Sequence, residues 1–363
     1  MTFIRNIWYA AGWSSELGRT LLARKILNEP VVLFRDEAGR AVALADRCPH
    51  RFAPLSRGTL KGAVLECGYH GLCFDSTGMC VSNPHGDHAI PKGARVKSYG
   101  LAERDGIVWI WMGDPAKADE SRIREFPQFG SNPQFASIEG YLHVEANYQL
   151  VSDNLLDLTH GQFLHPMFAN AAGPATFEPY KDPHDETTVW AKFFRRSQYP
   201  NKYFQFLGYP ADKLGDHRNC MRWNAPGVLL LDVGMTGVGA PVSEGISIPT
   251  AHLLTPETET STHYFWAMAR DFRLDDQELS QKLLDVGIAI FNNEDKPMVE
   301  AQQLSMGNTD DLLSLKPVLL NTDGPSLLAR RIVSRLIGEE LSSGRVASRY
   351  TTASVASHLG SAP

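Results

Sequence analysis

Cys48-Pro49-His50-Arg51 and Cys67-Gly68-Tyr69-His70-Gly71 are the two short runs from which the chain is best read. They form the pattern Cys-x-His, sixteen residues, then Cys-x-x-His. Two thiolates and two imidazoles can hold either zinc or an iron–sulfur cluster. Each pair follows a strand-like run, and Gly68 and Gly71 permit close backbone approach, which brings amide donors toward bridging sulfides. These features favour a [2Fe–2S] cluster with Cys48 and Cys67 on one iron and His50 and His70 on the other. That is a Rieske centre, whose neutral imidazoles raise its potential above all-cysteine clusters. Structural zinc is the alternative.

Around these runs the chain reads as short strands broken by turns. Val31–Phe34 and Ala41–Leu44 flank Asp36-Glu37-Ala38-Gly39 as a hairpin. Ile107–Trp111 is a further strand with both tryptophans on one face, and core packing accounts for them. A small antiparallel β domain over residues 1–115 is expected. Cys73, Cys80 and Cys220 match no ligand position and read as small buried hydrophobes. His85 and His88 read as loop residues without a metal role.

The 363 residues suffice for two domains. Composition is that of an ordinary globular chain, 43% apolar and 21% charged, which argues against wholesale disorder. A net charge of -6 without a basic block argues against a nucleic-acid partner. No apolar run reaches the ~18 residues of a membrane span. The N-terminus lacks the order of a signal peptide, and five cysteines do not suggest a disulfide framework. A cytoplasmic location is the expectation.

Asp114–Glu120 is a polar, turn-rich linker, and a second domain is expected over residues 116–341. Strand-like runs at Tyr141–Glu145, Thr188–Phe193, Gly227–Val233, Thr250–Leu254 and His263–Met268 precede a helix-period segment from about Asp276 to Leu304, kinked or broken at Pro297. The order predicts an α+β chain whose second domain wraps a curved antiparallel sheet over a long C-terminal helix, a helix-grip arrangement. Within it lies Asn154-Leu-Leu-Asp157-Leu-Thr-His160-Gly-Gln-Phe-Leu-His165-Pro166. Steps of three place Asn154, Asp157 and His160 on one side of a helix. Pro166 disfavours helical geometry at His165, so the helix is expected to end there and fold His165 back beside His160. Two histidines and one carboxylate are the ligand set of a mononuclear ferrous site. Asn292-Asn293-Glu294-Asp295-Lys296 is the strongest source of the carboxylate, with both acids open. Asp157, one turn before His160, is placed to accept a histidine N–H and set its tautomer.

Cys48-Pro-His-Arg with Cys67-x-Tyr-His-Gly, the opening Met1–Ala10, and His252–Glu259 together resemble the Rieske non-haem iron oxygenases, within them the dicamba and vanillate O-demethylase group. The resemblance covers almost the whole chain. It favours Asp295 over Glu294 as the third iron ligand and places Asn154 near the iron. It implies that Asp157 bridges a cluster histidine of one subunit to an iron histidine of the next in a homotrimer. It also implies a monooxygenase that uses O2, with a ferredoxin and a reductase delivering electrons from NAD(P)H, and oxidative O- or N-dealkylation of a substituted aromatic compound. His252 matches a substrate-holding histidine, whereas Leu231 stands where that group has an asparagine, so a neutral aromatic substrate is expected. The competing readings are a ring-hydroxylating dioxygenase, a Rieske electron carrier, and a two-site zinc-binding module. Residues 342–363, rich in Ser, Ala and Thr, are expected to form a flexible tail.

Overall fold

The computed structural model describes residues 3–168, 176–181 and 186–356, the backbone alone at 176–181 and 344–356. Glu29–Arg35 runs between Leu22–Ile26 and Ala41–Ala45 in a three-stranded antiparallel sheet. Its Val-Val-Leu-Phe run lacks alternation because both faces are buried. Val31 and Leu33 join the main core, while Val32 and Phe34 pack toward Cys48 and Cys67. A small four-stranded sheet, Thr59–Lys61 to Cys80–Ser82, carries the second cysteine–histidine pair, Cys67 and His70, on the loop between its second and third strands. Trp8–Trp13 pairs with Ile107–Trp111 and closes this half of the chain. Trp109 and Trp111 share one face with Trp8, in a cluster that reaches Phe126 and Phe265.

Among the described residues seven strands form one antiparallel sheet. In spatial order they are Ala136–Val144, Ser261–Arg270, Ile246–Thr258, Val228–Gly237, Gly215–Asn224, Thr188–Gln198 and Thr176–Lys181. Gly215–Asn224 and Thr176–Lys181 are strands that periodicity does not reveal. In Gly215–Asn224 the residues on one face include His217 and Asn219, and those on the other Arg218 and Arg222, so no apolar period survives. The N-terminal half docks on this sheet through its backbone. Thr255 Oγ1 donates to Ala10 O at 2.7 Å, and Leu27 N donates to Pro256 O at 2.9 Å.

The expected long helix runs without a break from Gln277 to Met306, but its winding changes along the way. Gln277–Gly287 and Lys296–Met306 are α-helical, and Ile288–Asp295 between them is a π-helix. Pro297 follows directly on the π-turn, whose wider winding accommodates the ring and the missing N–H. Gly287 is required there, since a Cβ would lie 2.4 Å from the ring of buried Trp266. Of the residues expected as a tail, the backbone is described as far as Ala356. Gly324–Ala356 is one helix, in which the Ser342 and Ser343 hydroxyls donate back to the carbonyls of Gly338 and Glu340. Residues 357–363 lie outside the described residues.

This last helix braces the segment that carries the histidines. Arg330, buried, grips Asp153 with Nη2–Oδ2 at 2.6 Å and Nε–Oδ2 at 2.9 Å. Breaking one side of such a pair leaves a buried charge. Arg330→Met is expected to cost about 3–5 kcal/mol, read as a lower urea midpoint at unchanged slope.

Candidate metal centres and substrate cavity

The two cysteine loops have matching construction. Cys48 N donates to Ala53 O at 2.9 Å and Phe52 N donates to Cys48 O at 2.9 Å. Cys67 N donates to Leu72 O at 2.8 Å and Gly71 N to Cys67 O at 2.9 Å, with Gly71 at φ 70°. Each loop thus turns a buried cysteine and a more exposed histidine toward the other, and the His50 and His70 rings lie 4.5 Å apart. Burial pushes the Cys48 thiol up to about 11, with the His50 amide opposing and Cys67 adding to it. A proton is thus favoured on this sulfur unless a cation replaces it, and amides already aim at it, which suits a metal-bound thiolate. Gly68 serves packing rather than the cluster, since a Cβ there would meet Arg57 O at 2.6 Å. His85 Nε2 pairs with His70 O at 2.8 Å and so holds the second loop.

The Asn154–Pro166 stretch is two helices, not one. Tyr148–Leu156 ends at Asp157, and Gly161–Leu164 follows, with His160 before it in helical geometry and His165 after it extended. The break arises at an Asx turn: the Asp157 carboxylate accepts from Thr159 N at 3.0 Å and Thr159 Oγ1 at 2.5 Å. His160 Nδ1 bonds the Asp157 backbone carbonyl, so the carbonyl rather than the carboxylate sets its tautomer. The short second helix then brings His165 Nε2 to 3.2 Å from His160 Nε2.

Asp295 Oδ1, at the end of the π-helix, lies 3.4 Å from His160 Nε2 and 3.5 Å from His165 Nε2. Among the described residues this is the one set of three or more His, Cys, Asp or Glu side chains whose donor atoms all fall within 4.8 Å of one another. Metal–donor bonds of about 2.1 Å meeting at right angles hold neighbouring donors about 3 Å apart, so the triangle fits a divalent ion with one face open. Asn154 Nδ2 donates to Asp295 Oδ1 at 3.1 Å, and His165 Nδ1 faces Glu294 Oε2 at 2.8 Å. Glu294, which the sequence offered only as a rival to Asp295, instead orients His165. Its signal was the adjacent acidic pair, whose two members address different atoms of one site.

The three donors line a cavity of about 120 Å³, open at its mouth, between the sheet and the helices. Its walls are mainly Leu155, Leu158, Phe168, Phe193, Met221 and Phe291, with Leu231 among them. His252 is buried at the cavity wall. Its Nδ1 pairs with Tyr264 Oη at 2.7 Å, and its Nε2 has no partner among the described residues. Burial holds it neutral, down to about 3, against the pull of Asp295. Arg195, His217 and Asn219 make a separate polar corner that sequence reading did not single out, for they lie on the strands whose pairing it could not supply.

Burial likewise depresses His217 to about 4 and His263 to about 4 from an ordinary 6.5. The unfolded chain therefore takes up these protons first. The stability due to their neutrality is complete above pH 6.5 and is lost as pH falls toward 4. Each should cost about 2 kcal/mol between pH 7.5 and 5. Urea unfolding at both values checks this, and His217→Gln is expected to remove its share of the difference.

A seven-stranded sheet over helices, a two-cysteine, two-histidine pair of loops, and a two-histidine, one-carboxylate triangle define a cluster-fed mononuclear metal oxidoreductase. Residues 7–100 match the Rieske [2Fe-2S] domain, and residues 144–339 match the vanillate O-demethylase oxygenase C-terminal domain. The chain is 38% identical over 340 residues to the chloroacetanilide N-alkylformylase oxygenase component of Rhizorhabdus wittichii (strain DC-6 / KACC 16600), covering 93% of this chain and 97% of that protein. It is 39% identical over 319 residues to the iron-sulfur subunit of the toluene-4-sulfonate monooxygenase system of Comamonas testosteroni, covering 85% and 90%. The crystal structure of dicamba monooxygenase bound to 3,6-dichlorosalicylic acid superposes with a TM-score of 0.86 at 36% identity, covering 94% and 99%. The chain belongs to the Rieske oxygenases of the dicamba and vanillate O-demethylase group. It is the oxygenase component of a multicomponent monooxygenase system, and it carries a Rieske [2Fe-2S] domain. Among the described residues no helix is long and apolar enough to cross a membrane.

Proposed function

We propose that this oxygenase carries out oxidative O- or N-dealkylation of a substituted aromatic compound in the cavity beside His160, His165 and Asp295. The observation that carries the reading is the convergence of these three donors on an apolar cavity large enough for one aromatic ring system. Cys48, Cys67, His50 and His70 would hold the [2Fe–2S] cluster, and the triangle would hold a ferrous ion. When bound, the ferrous ion would supply dioxygen activation, with electrons from the cluster. One oxygen atom enters the C–H bond of an alkyl group on oxygen or nitrogen. The other leaves as water, consuming two electrons and two protons. The hemiacetal or hemiaminal then collapses to an aldehyde and a phenol or amine.

The remaining side chains act by position. Glu294 keeps the Nδ1 proton of His165 in place and leaves Nε2 for the metal, while Asn154 holds Asp295 by its Oδ1. His252 offers Nε2 to the substrate from the same sheet wall that carries Leu231. Electrons arrive from NAD(P)H through a reductase and a ferredoxin, in the cytoplasm. Asp157 passes them from a cluster histidine of a neighbouring subunit to His160 within a homotrimer. The surface beside Asp157 supports this role, because His160 also borders a second hollow rimmed by exposed Val318, Leu319 and Leu320, a face suited to burial by another subunit.

Purified protein should be red-brown, contain iron and sulfide, and show a Rieske signal. Oxygen uptake should require ferrous ion and release one aldehyde per turnover from an aryl alkyl ether or N-alkyl anilide. A colourless, zinc-loaded protein excludes the reading, and diol products without aldehyde favour a dioxygenase instead.

A further inference from the structure

We propose that Arg195 is a substrate-binding residue and that the compound it receives is an aromatic anion, a carboxylate or a sulfonate. The proposal rests on reading this cavity as the substrate site. Arg195 is 5% exposed and lines the cavity from the strand Thr188–Gln198. Its Nη2 donates to Gln162 Oε1 at 3.0 Å, and its guanidinium stacks 5.0 Å from the Phe193 ring centre. Neither partner carries charge. Its Nε has no hydrogen-bond partner among the described residues, and none of their carboxylates pairs with it. Burial alone acts on its basicity, with nothing opposing.

A buried cation without a counter-ion is costly, and folded chains keep one where a ligand supplies the missing charge. The neighbours suit this. Arg195 is paired across the sheet with His217, and Asn219 follows one pleat away, so three polar groups meet at one corner of an otherwise apolar cavity. His217 is neutral and bonds Asn219 Oδ1 at 3.2 Å, so it does not compete for the anion as a second charge. In the sheet register, His252 stands in the row of Leu229, Trp223 and Val189, well along the strand from Arg195. The two sites therefore address different ends of a substrate. The neutral substrate expected from Leu231 is revised on this basis: recognition of charge has no donor at position 231 and is provided at position 195.

The test measures binding without turnover. Anaerobic titration calorimetry on the iron-loaded holoenzyme compares 4-methoxybenzoate and toluene-4-sulfonate with their neutral amides. The two acids separate carboxylate from sulfonate preference. At least one anion is expected to bind more tightly than its amide by about tenfold or more. Arg195→Gln should remove that preference, and Arg195→Lys should retain part of it. Under turnover, Arg195→Gln should raise KM for the anion far more than it lowers kcat. Equal binding of both anions and their amides overturns the proposal, as does a preference that survives in Arg195→Gln. If Arg195→Gln does not fold, the wild-type preference and Arg195→Lys decide it. Tight anion binding without aldehyde release upholds Arg195 and sinks dealkylation, whereas aldehyde release without anion preference sinks Arg195 alone.

Discussion

Asp295→Ala is expected to abolish ferrous loading and oxygen-dependent turnover while leaving the Rieske spectrum intact. Asp295 supplies the one carboxylate of the triangle, at 3.4 and 3.5 Å from the two imidazole nitrogens. Two neutral imidazoles alone neither neutralise a divalent ion nor complete a face. The loss in kcat/KM should be on the order of 10³-fold or more, the scale of several kcal/mol of metal-derived stabilisation. Iron per chain, separated into cluster and mononuclear pools by spectroscopy, is the deciding measurement. Full mononuclear loading in the variant would show that Asp295 is not a ligand. Glu294→Gln, by contrast, should keep much of the iron, because Gln still accepts from His165 Nδ1.

Asp157→Asn should leave both metal sites loaded and yet lower turnover by about 100-fold. The fold makes this variant unusually clean. His160 takes its Nδ1 contact from the Asp157 backbone carbonyl, which the substitution keeps. An asparagine oxygen can also still accept from Thr159 N, so the turn that separates the two helices survives. What disappears is a half-buried negative charge at the rim of the hollow beside His160. Rapid mixing of the reduced variant with oxygen separates slow cluster oxidation from slow chemistry. Slow cluster oxidation with normal iron binding supports electron passage through Asp157. Wild-type rates would reduce Asp157 to a helix terminator.

Some of this architecture is legible in a single sequence because it is local chemistry. Cys-x-His and Cys-x-x-His are ligand spacings set within a few residues. Val31–Phe34 and Ile107–Trp111 read as strands because they are short β-branched and aromatic runs bounded by turn residues. Pro166 and the acidic pair Glu294-Asp295 likewise mark where chains end or charges gather. Other features depend on partners far away. Gly215–Asn224 shows no strand period, since one of its faces lines a partly polar cavity and the other carries arginines. The π-helix over Ile288–Asp295 is invisible in a helix-period pattern that tolerates either winding.

Sequence alone thus narrowed the Cys-x-His and Cys-x-x-His loops to a cluster or zinc, gave the order of the domains, and offered two histidines and an acidic pair for a mononuclear centre, because each of these groups is written in neighbouring residues. Tertiary structure decided how those residues are used. The Asx turn at Asp157 and the π-helix bring His160, His165 and Asp295 together, place Glu294 on His165, and give the tautomer of His160 to a carbonyl. Sheet pairing alone sets Arg195 beside His217 and Asn219, because register between strands is a long-range property that no local pattern encodes.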